Sequence, residues 1–215
     1  MRNVSTPINI DSALTSGANY LKHAQADITE DNAGNGNPDL DPEDGGWDWS
    51  LTSPNFIHTA AASPTNIYGA TAMGLYYAYL ETSDATYLTA MTDAANVMSA
   101  NPSIRSASDL IFLMRFQDLP GVTPDIYQNA AKAKFDGRIT TYGSATALAQ
   151  KIRDVRAGQG YENGIIPWDI GAWAVAAQML AQKFPSDPYD YAQAADDIAE
   201  VIYQDSYMQN PGYFN

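Results

Sequence analysis

The sequence has no cysteine among its 215 residues. Disulfide bonds, thiolate metal sites and cysteine nucleophiles are therefore excluded. It also has no run of about 18 apolar residues, so no membrane-spanning helix is predicted. The opening residues, MRNVSTPINI, lack the apolar core of a signal peptide. A mature secreted chain and a cytosolic protein would both begin in this way.

Basic residues are also scarce, since 11 Lys and Arg stand against 25 Asp and Glu, a net charge of -14. No Lys or Arg lies between Lys22 and Arg105. Nucleic acids and anionic membranes are poor partners for such a chain. Calcium, a basic partner or high ambient salt would balance the charge, and this composition predicts an extracellular or cell-surface setting. A merely well-solvated surface is the alternative.

The apolar residues recur mainly with the period of a helix, and alternation typical of strands is short. The hydrophobic fraction of 45% suits one compact domain over 1–215. We expect an acidic loop insertion at 26–46. The pattern predicts an all-α fold of eight helices near 10–25, 65–82, 84–99, 106–118, 123–135, 144–157, 168–183 and 188–204.

Two kinds of helix alternate along most of the chain. One kind is apolar on nearly every side and should be buried all round, as in 65–82, 106–118 and 168–183. The other kind has a single apolar stripe and should be half-exposed, as in 84–99, 123–135 and 188–204. This repeat predicts helical hairpins in two layers, with inner buried and outer amphipathic helices. An irregular helical bundle is the alternative.

Helix 144–157 interrupts this alternation. Its polar side carries Lys151, Arg153 and Arg156, a large share of the basic residues. We expect this side to face the acidic loop, a partner or solvent.

Two short stretches, GANYLKHAQ at 17–25 and GGW at 45–47, carry a family resemblance. Their order of Gly17, Tyr20-Leu21, Gln25 and Gly45-x-Trp47 resembles the QW motif of the terpenoid cyclase and protein prenyltransferase alpha/alpha toroid superfamily. The long segment between Gln25 and Gly45 departs from that motif.

The resemblance implies an incomplete (α/α) toroid, because a complete ring has more helices than this sequence predicts. It also implies that Gln25 caps a helix end and that Trp47 packs on it as a structural plug. The catalytic residues of the superfamily do not carry over. No Asp-x-Asp-Asp lies on a buried helix, and cysteine for a zinc site is missing. The chain looks closer to bacterial secreted or surface proteins of the toroid type.

The acidic loop contains oxygen-bearing side chains at mostly alternate positions, a spacing that calcium-binding loops use. The candidate calcium ligands are Asp31, Asn35, Asn37, Asp39 and Asp41. The order does not match an EF-hand. A solvated acidic loop without a metal is the alternative.

Aromatic and acidic residues near the predicted mouth of the toroid suggest a glycan site. The candidate sugar-stacking residues are Trp49, Tyr161 and Trp168, and the candidate catalytic carboxylates are Asp48, Asp109, Glu162 and Asp169. For Asp169 the alternative is a capping role, since an acid at the start of helix 168–183 favours the helix dipole. Glycoside hydrolysis needs two carboxylates at a defined separation. Asp109 has two interpretations, a buried acid with a raised pKa or a cap partner for Ser106.

These observations leave the question of catalysis open and give two functional hypotheses. The first is a non-catalytic extracellular domain that assembles with itself or binds glycans at a cell surface. The aromatic tail with Tyr207, Tyr213 and Phe214 would then contact a second copy or a neighbouring domain. The second is a polysaccharide-degrading glycosidase or lyase. Terpene cyclisation ranks third.

Overall fold

The computed structural model describes residues 10–25, 45–47, 67–123, 125–156 and 170–209, of which 155–156 and 205–209 are described by their backbone alone. These segments contain eight α-helices and no strand, which confirms the all-α prediction. The helices are α1 (Ile10–His23), α2 (Tyr68–Thr82), α3 (Ala85–Ala100), α4 (Ala107–Gln117), α5 (Ile126–Tyr142), α6 (Ala145–Arg156), α7 (Ile170–Lys183) and α8 (Tyr191–Gln209).

Helix α5 is longer than the sequence pattern predicted, since it passes Gly137 and reaches Tyr142. A single glycine inside a helix lowers its propensity but is tolerated when packing continues. The buried side chains of Phe135 and Arg138 continue that packing on both sides of Gly137. The helix ends at Gly143, whose φ of 89° is left-handed and suits a glycine at a helix end.

The three most extensive helix pairs are the helical hairpins α2/α3, α4/α5 and α7/α8. Helices α2, α4 and α7 pack side by side with α4 in the middle. Helix α1 packs on the α2/α3 hairpin, and α6 packs between α5 and α8. The predicted hairpins are therefore present, and two of the eight helices lie outside the hairpin repeat.

Helix α4 is the centre of the fold, because eight of its 11 residues are buried. Burial on all sides was also predicted for α2 and α7, and there the prediction was wrong. Tyr77 and Leu80 of α2 are 52% and 54% exposed, and Val175 of α7 is 47% exposed. The reason is position, since α4 has a neighbour on each side within the described row, whereas α2 and α7 form its ends.

The striped helices behave as predicted. The stripes of α3, α5, α6 and α8 face the core, as shown by Met91, Tyr127, Leu148 and Ile198, which are all buried. Burying one apolar side chain of this kind stabilises the fold by about 1.5–3 kcal/mol. Where the basic side of α6 points relative to the acidic loop stays a prediction, because that loop lies outside the described residues.

Trp47 closes the end of α1. Its side chain is 3% exposed, and its indole Nε1 donates a hydrogen bond of 2.8 Å to the carbonyl oxygen of Leu21. That carbonyl belongs to the last turn of α1, where no intrahelical partner follows. The ring also meets Tyr68 of α2 edge-to-face, with centroids 6.2 Å apart. Trp47 therefore ties α1 to α2 as a buried structural side chain.

Gln25 also contacts the segment that carries Trp47, and it links that segment to α3. Its amide Nε2 donates to the carbonyl oxygens of Gly45 and Ala90, each at 2.7 Å. Ala90 lies in the middle of α3, so Gln25 joins α3 to the segment that carries Trp47. The expectation that Gln25 caps a helix end stays a prediction, since its described side-chain hydrogen bonds go to Gly45 and to the middle of α3.

Helices α2 and α4 lie in close contact at Gly69. A Cβ at this position would lie 2.3 Å from the backbone carbonyl of Ser108 and 2.4 Å from the backbone nitrogen of Asp109. Real Cβ atoms do not approach a backbone so closely, so the contact requires glycine. Gly137 of α5, by contrast, has open space around it.

We predict opposite effects of alanine at these two helical glycines. Gly69→Ala should destabilise the protein by about 1–3 kcal/mol, because α2 must move away from α4. Gly137→Ala should stabilise it by up to about 1 kcal/mol through helix propensity alone. Urea unfolding followed by circular dichroism measures both values. An equal effect of the two substitutions would contradict the close contact at Gly69.

Candidate functional site

Most residues singled out from the sequence lie outside the described segments. Among the candidate carboxylates these are Asp48, Glu162 and Asp169; among the stacking residues Trp49, Tyr161 and Trp168; among the calcium ligands Asp31, Asn35, Asn37, Asp39 and Asp41. The side chain of Tyr207, and Tyr213 and Phe214 entirely, lie outside them as well. Their predicted roles stay predictions.

Asp109 is the candidate carboxylate that the described segments contain, and it is fully buried. Its Oδ2 accepts hydrogen bonds from the backbone nitrogen and the hydroxyl of Ser106, at 2.8 and 2.7 Å. Its Oδ1 accepts one from the backbone nitrogen of Gly69 at 2.8 Å. The cap pairing with Ser106 is therefore confirmed, and Asp109 also binds the start of α2. A catalytic role for Asp109 stays a prediction.

A cleft in the described segments lies at the turn between α7 and α8. It has a volume of about 420 Å³ and is lined by Ala181 together with residues 184–185 and 187–192. We call it the α7–α8 pocket. Its walls combine three aromatic rings, Phe184, Tyr189 and Tyr191, with two carboxylates, Asp187 and Asp190. This volume is within the range of small-ligand sites.

A lysine from another hairpin fixes the shape of this turn. Lys132 of α5 places its Nζ 2.7 Å from Asp136 Oδ2 and 2.9 Å from Asp187 Oδ2. The Tyr191 hydroxyl donates to Asp136 Oδ1 at 2.7 Å. Asp136 therefore bridges Lys132 and Tyr191, and the turn is tied to α5 by both polar groups.

The same ammonium also lies against aromatic rings. Its nitrogen is 5.7 Å from the ring centroid of Tyr191 and 5.9 Å from that of Phe184. Tyr191 in turn packs edge-to-face on Tyr189 and Phe135, with centroids 5.0 and 5.8 Å apart. Tyr191 is thus the buried floor of the pocket, and the half-buried Tyr189 is its wall.

The turn is also held locally by its own aspartates. Asp187 Oδ1 accepts from the backbone nitrogen of Tyr189 at 3.0 Å, and Asp190 Oδ1 accepts from that of Gln193 at 2.9 Å. Asp190 therefore caps the first turn of α8. The backbone hydrogen bond from Tyr189, and then the ion pair with Lys132, hold the pKa of Asp187 below its usual value.

The protonation states of the other groups follow from the same contacts. Hydrogen bonds to Asp136 and then Asp187 raise the pKa of Lys132 above its ordinary value, so it is cationic at any physiological pH. Burial raises the pKa of both tyrosine hydroxyls, and nearby carboxylates raise it further. Tyr189 and Tyr191 are therefore neutral hydroxyls that can donate hydrogen bonds.

Sequence reasoning missed this pocket. Lys132 falls within the predicted helix 123–135, and the segment PSDPYDY at 185–191 spans the predicted start of helix 188–204. The signal that could have identified the site is the density of proline, aspartate and tyrosine between two helices. Such residues favour a defined turn whose polar and aromatic side chains lie at the surface, where they can contact a ligand.

A second lysine of α5 lies in an unusual environment away from the pocket. The Nζ of Lys134 donates to the carbonyl oxygen of Asn101, at the end of α3, at 2.7 Å. Burial lowers its pKa to about 8, an effect that Asp109 opposes and Arg105 reinforces. Lys134 caps the last turn of α3 and loses its charge far more readily than an ordinary lysine.

The described segments also bear on metal binding and on membrane insertion. Those residues include no group of three or more His, Asp or Glu side chains placed to hold a metal ion. The helices described also include none that is long and apolar enough to cross a membrane.

The chain matches no protein-family model, and comparison with curated proteins and with solved structures gives no match either. The resemblance to the alpha/alpha toroid superfamily therefore stays a prediction.

We predict that Asp109→Asn destabilises the protein by about 1–3 kcal/mol, because its amide nitrogen would face a backbone N–H that needs an acceptor. Asp84→Asn is the matched control. Asp84 is the exposed N-cap of α3 and accepts from Thr86 at 2.8 Å, a role that asparagine fills equally well. Thermal unfolding of both variants measures the difference. Similar small losses in both would contradict the buried bridge between α2 and α4.

The lowered pKa of Lys134 predicts a pH dependence of stability. Between about pH 8 and its ordinary value of 10.5, the amine is neutral in the folded state and protonated in the unfolded state. The unfolded state then binds more protons, so the free energy of unfolding should rise with pH above about 8. Lys134→Met should remove that rise in urea unfolding between about pH 7 and 9.5. A rise that persists in the variant would assign it to other groups.

Proposed function

We propose that the protein is a non-catalytic extracellular domain that binds glycans in the α7–α8 pocket. The observation that carries this proposal is the combination of aromatic walls with carboxylates in one cleft of about 420 Å³. Sugars have apolar C–H faces that stack on aromatic rings, and hydroxyl groups that donate to carboxylates. Phe184 and Tyr189 supply the first kind of contact, and Asp187 and Asp190 supply the second.

The rigidity of the turn supports this function. Pro185 and Pro188 restrict its backbone, and Lys132 ties Asp187 to α5. A site that is already ordered loses little conformational freedom when a ligand binds. The pocket can therefore hold a weakly interacting ligand such as a sugar without a large entropic penalty.

We further propose that the three hairpins form an incomplete (α/α) toroid, displayed outside the cell or at its surface. The side-by-side packing of α2, α4 and α7, with α3 and α5 behind them, supports this arrangement. The exposed Tyr77 and Leu80 on α2 favour self-assembly as the second candidate role, since apolar side chains there are available to a second copy.

The proposal predicts that short cello-, xylo- or chito-oligosaccharides bind to the pocket. Titration followed by NMR should shift resonances of residues 184–192 first. Tyr189→Ala should weaken binding about tenfold, because the stacking wall is lost. Tyr77→Ala is the matched control, since this tyrosine is 52% exposed on α2, away from the pocket. Its affinity should equal that of the unmodified protein.

Other outcomes would overturn the proposal. Binding that Tyr189→Ala leaves unchanged would locate the glycan elsewhere. Shortening of the oligosaccharides during incubation would favour the glycosidase or lyase hypothesis. If no oligosaccharide binds, and light scattering shows association that Leu80→Glu abolishes, self-assembly replaces glycan binding as the function.

A further inference from the structure

Among the described residues, carboxylates outnumber cations at the α7–α8 pocket. The lining residues that the structure describes include Asp187 and Asp190, and no lysine or arginine. The adjacent cation, Lys132, already bonds to two carboxylates, those of Asp136 and Asp187. The groups at the pocket thus include three carboxylates, those of Asp136, Asp187 and Asp190, and one ammonium, that of Lys132. A ligand entering the pocket therefore meets a net negative field.

The field extends to the aromatic wall. Burial is the main cause of the raised pKa of Tyr189, and the carboxylates of Asp197, Asp136 and Asp190 raise it further. Three acidic side chains, from α5, the turn and α8, therefore act on the same hydroxyl. Glycans that carry carboxylate or sulfate groups would be repelled here.

The rings of the pocket favour a cation as well. Lys132 already makes cation–π contacts here, since its ammonium lies within 6 Å of the Phe184 and Tyr191 ring centroids. A cation near an aromatic face is attracted by the negative potential of the ring. Asp190 is exposed and commits Oδ1 to the cap of α8. An ionised carboxylate has about four acceptor positions, so it can still bind a ligand ammonium.

We propose that the α7–α8 pocket selects glycans that carry free primary amines, such as glucosamine units, over neutral and acidic glycans. The sugar ring stacks on Tyr189, and the ammonium lies between Asp190 and Asp187. This inference rests on the proposed glycan-binding function and names its ligand class. A neutral sugar would make the same stacking contact without the ionic one.

The test compares chito-oligosaccharides of equal length, fully deacetylated or fully N-acetylated. Both are titrated into the complete chain by calorimetry at mildly acidic pH, where the sugar amines are protonated. The deacetylated form should bind about tenfold more tightly at low salt. The preference should shrink as salt is added, because exposed charges are screened.

Asp190→Asn is the decisive variant. Asparagine caps a helix as well as aspartate does, so α8 should keep its fold while the pocket loses one charge. The preference for the deacetylated glycan should fall severalfold, and binding of the N-acetylated form should not change. Asp84→Asn, at the cap of α3, is the control with the same change in net charge. It should leave the preference intact.

The failures of this inference and of the proposed function are distinguishable. Equal binding of the two glycans at the pocket overturns the inference and leaves the glycan function standing. An equal loss of preference in Asp84→Asn also overturns it, because the amine would then respond to overall charge. Oligolysine that binds more tightly than either glycan, and depends on Asp190, makes a basic peptide the ligand. Binding of no glycan removes both proposals.

Discussion

The carboxylate of Asp109 is the interaction on which the core depends. Helix α4 is surrounded, so the backbone N–H groups at its start cannot all reach water. Asp109 takes the backbone nitrogen of Ser106 and, across the helix interface, the backbone nitrogen of Gly69. One buried side chain thus accepts hydrogen bonds from backbone N–H groups at the starts of two helices. The registration of α2 against α4 follows from it.

The fixed position of α2 against α4 accounts for the close contact between these two helices and for the burial of α4. With Gly69 against the backbone of α4, the two helices approach more closely than ordinary side chains allow. At the other end of α4, Phe116 meets Tyr127 of α5 edge-to-face, with ring centroids 5.1 Å apart. The central helix is consequently buried, while the outer faces of α2 and α7 are not.

Sequence reasoning succeeded where periodicity carries the information. All eight helices and the buried stripes could be predicted, since side chains such as Met91 and Ile198 recur at helical spacing. Periodicity does not show which of α2, α4 and α7 lies in the middle. The sequence pattern therefore predicted that α2 is buried on all sides, although one of its faces is exposed. The pocket was unpredictable for a related reason. Lys132 and Asp187 lie far apart in sequence, and only the packing of α5 against the turn after α7 brings their charges together.

The positions of the few lysines explain why acidic side chains predominate at the α7–α8 pocket. Four of the five lysines bond inside the chain: Lys22 to Thr86, Lys132 to two aspartates, Lys134 to Asn101 and Lys183 to Asp118. Apart from the Lys132–Asp136 contact within α5, each of these bonds joins one helix to another helix or to a neighbouring turn, so these four lysines tie separate parts of the fold together. Lysines used in this way cannot neutralise the remaining surface carboxylates. The preference for amine-bearing glycans that we propose for the pocket follows from this imbalance of charge.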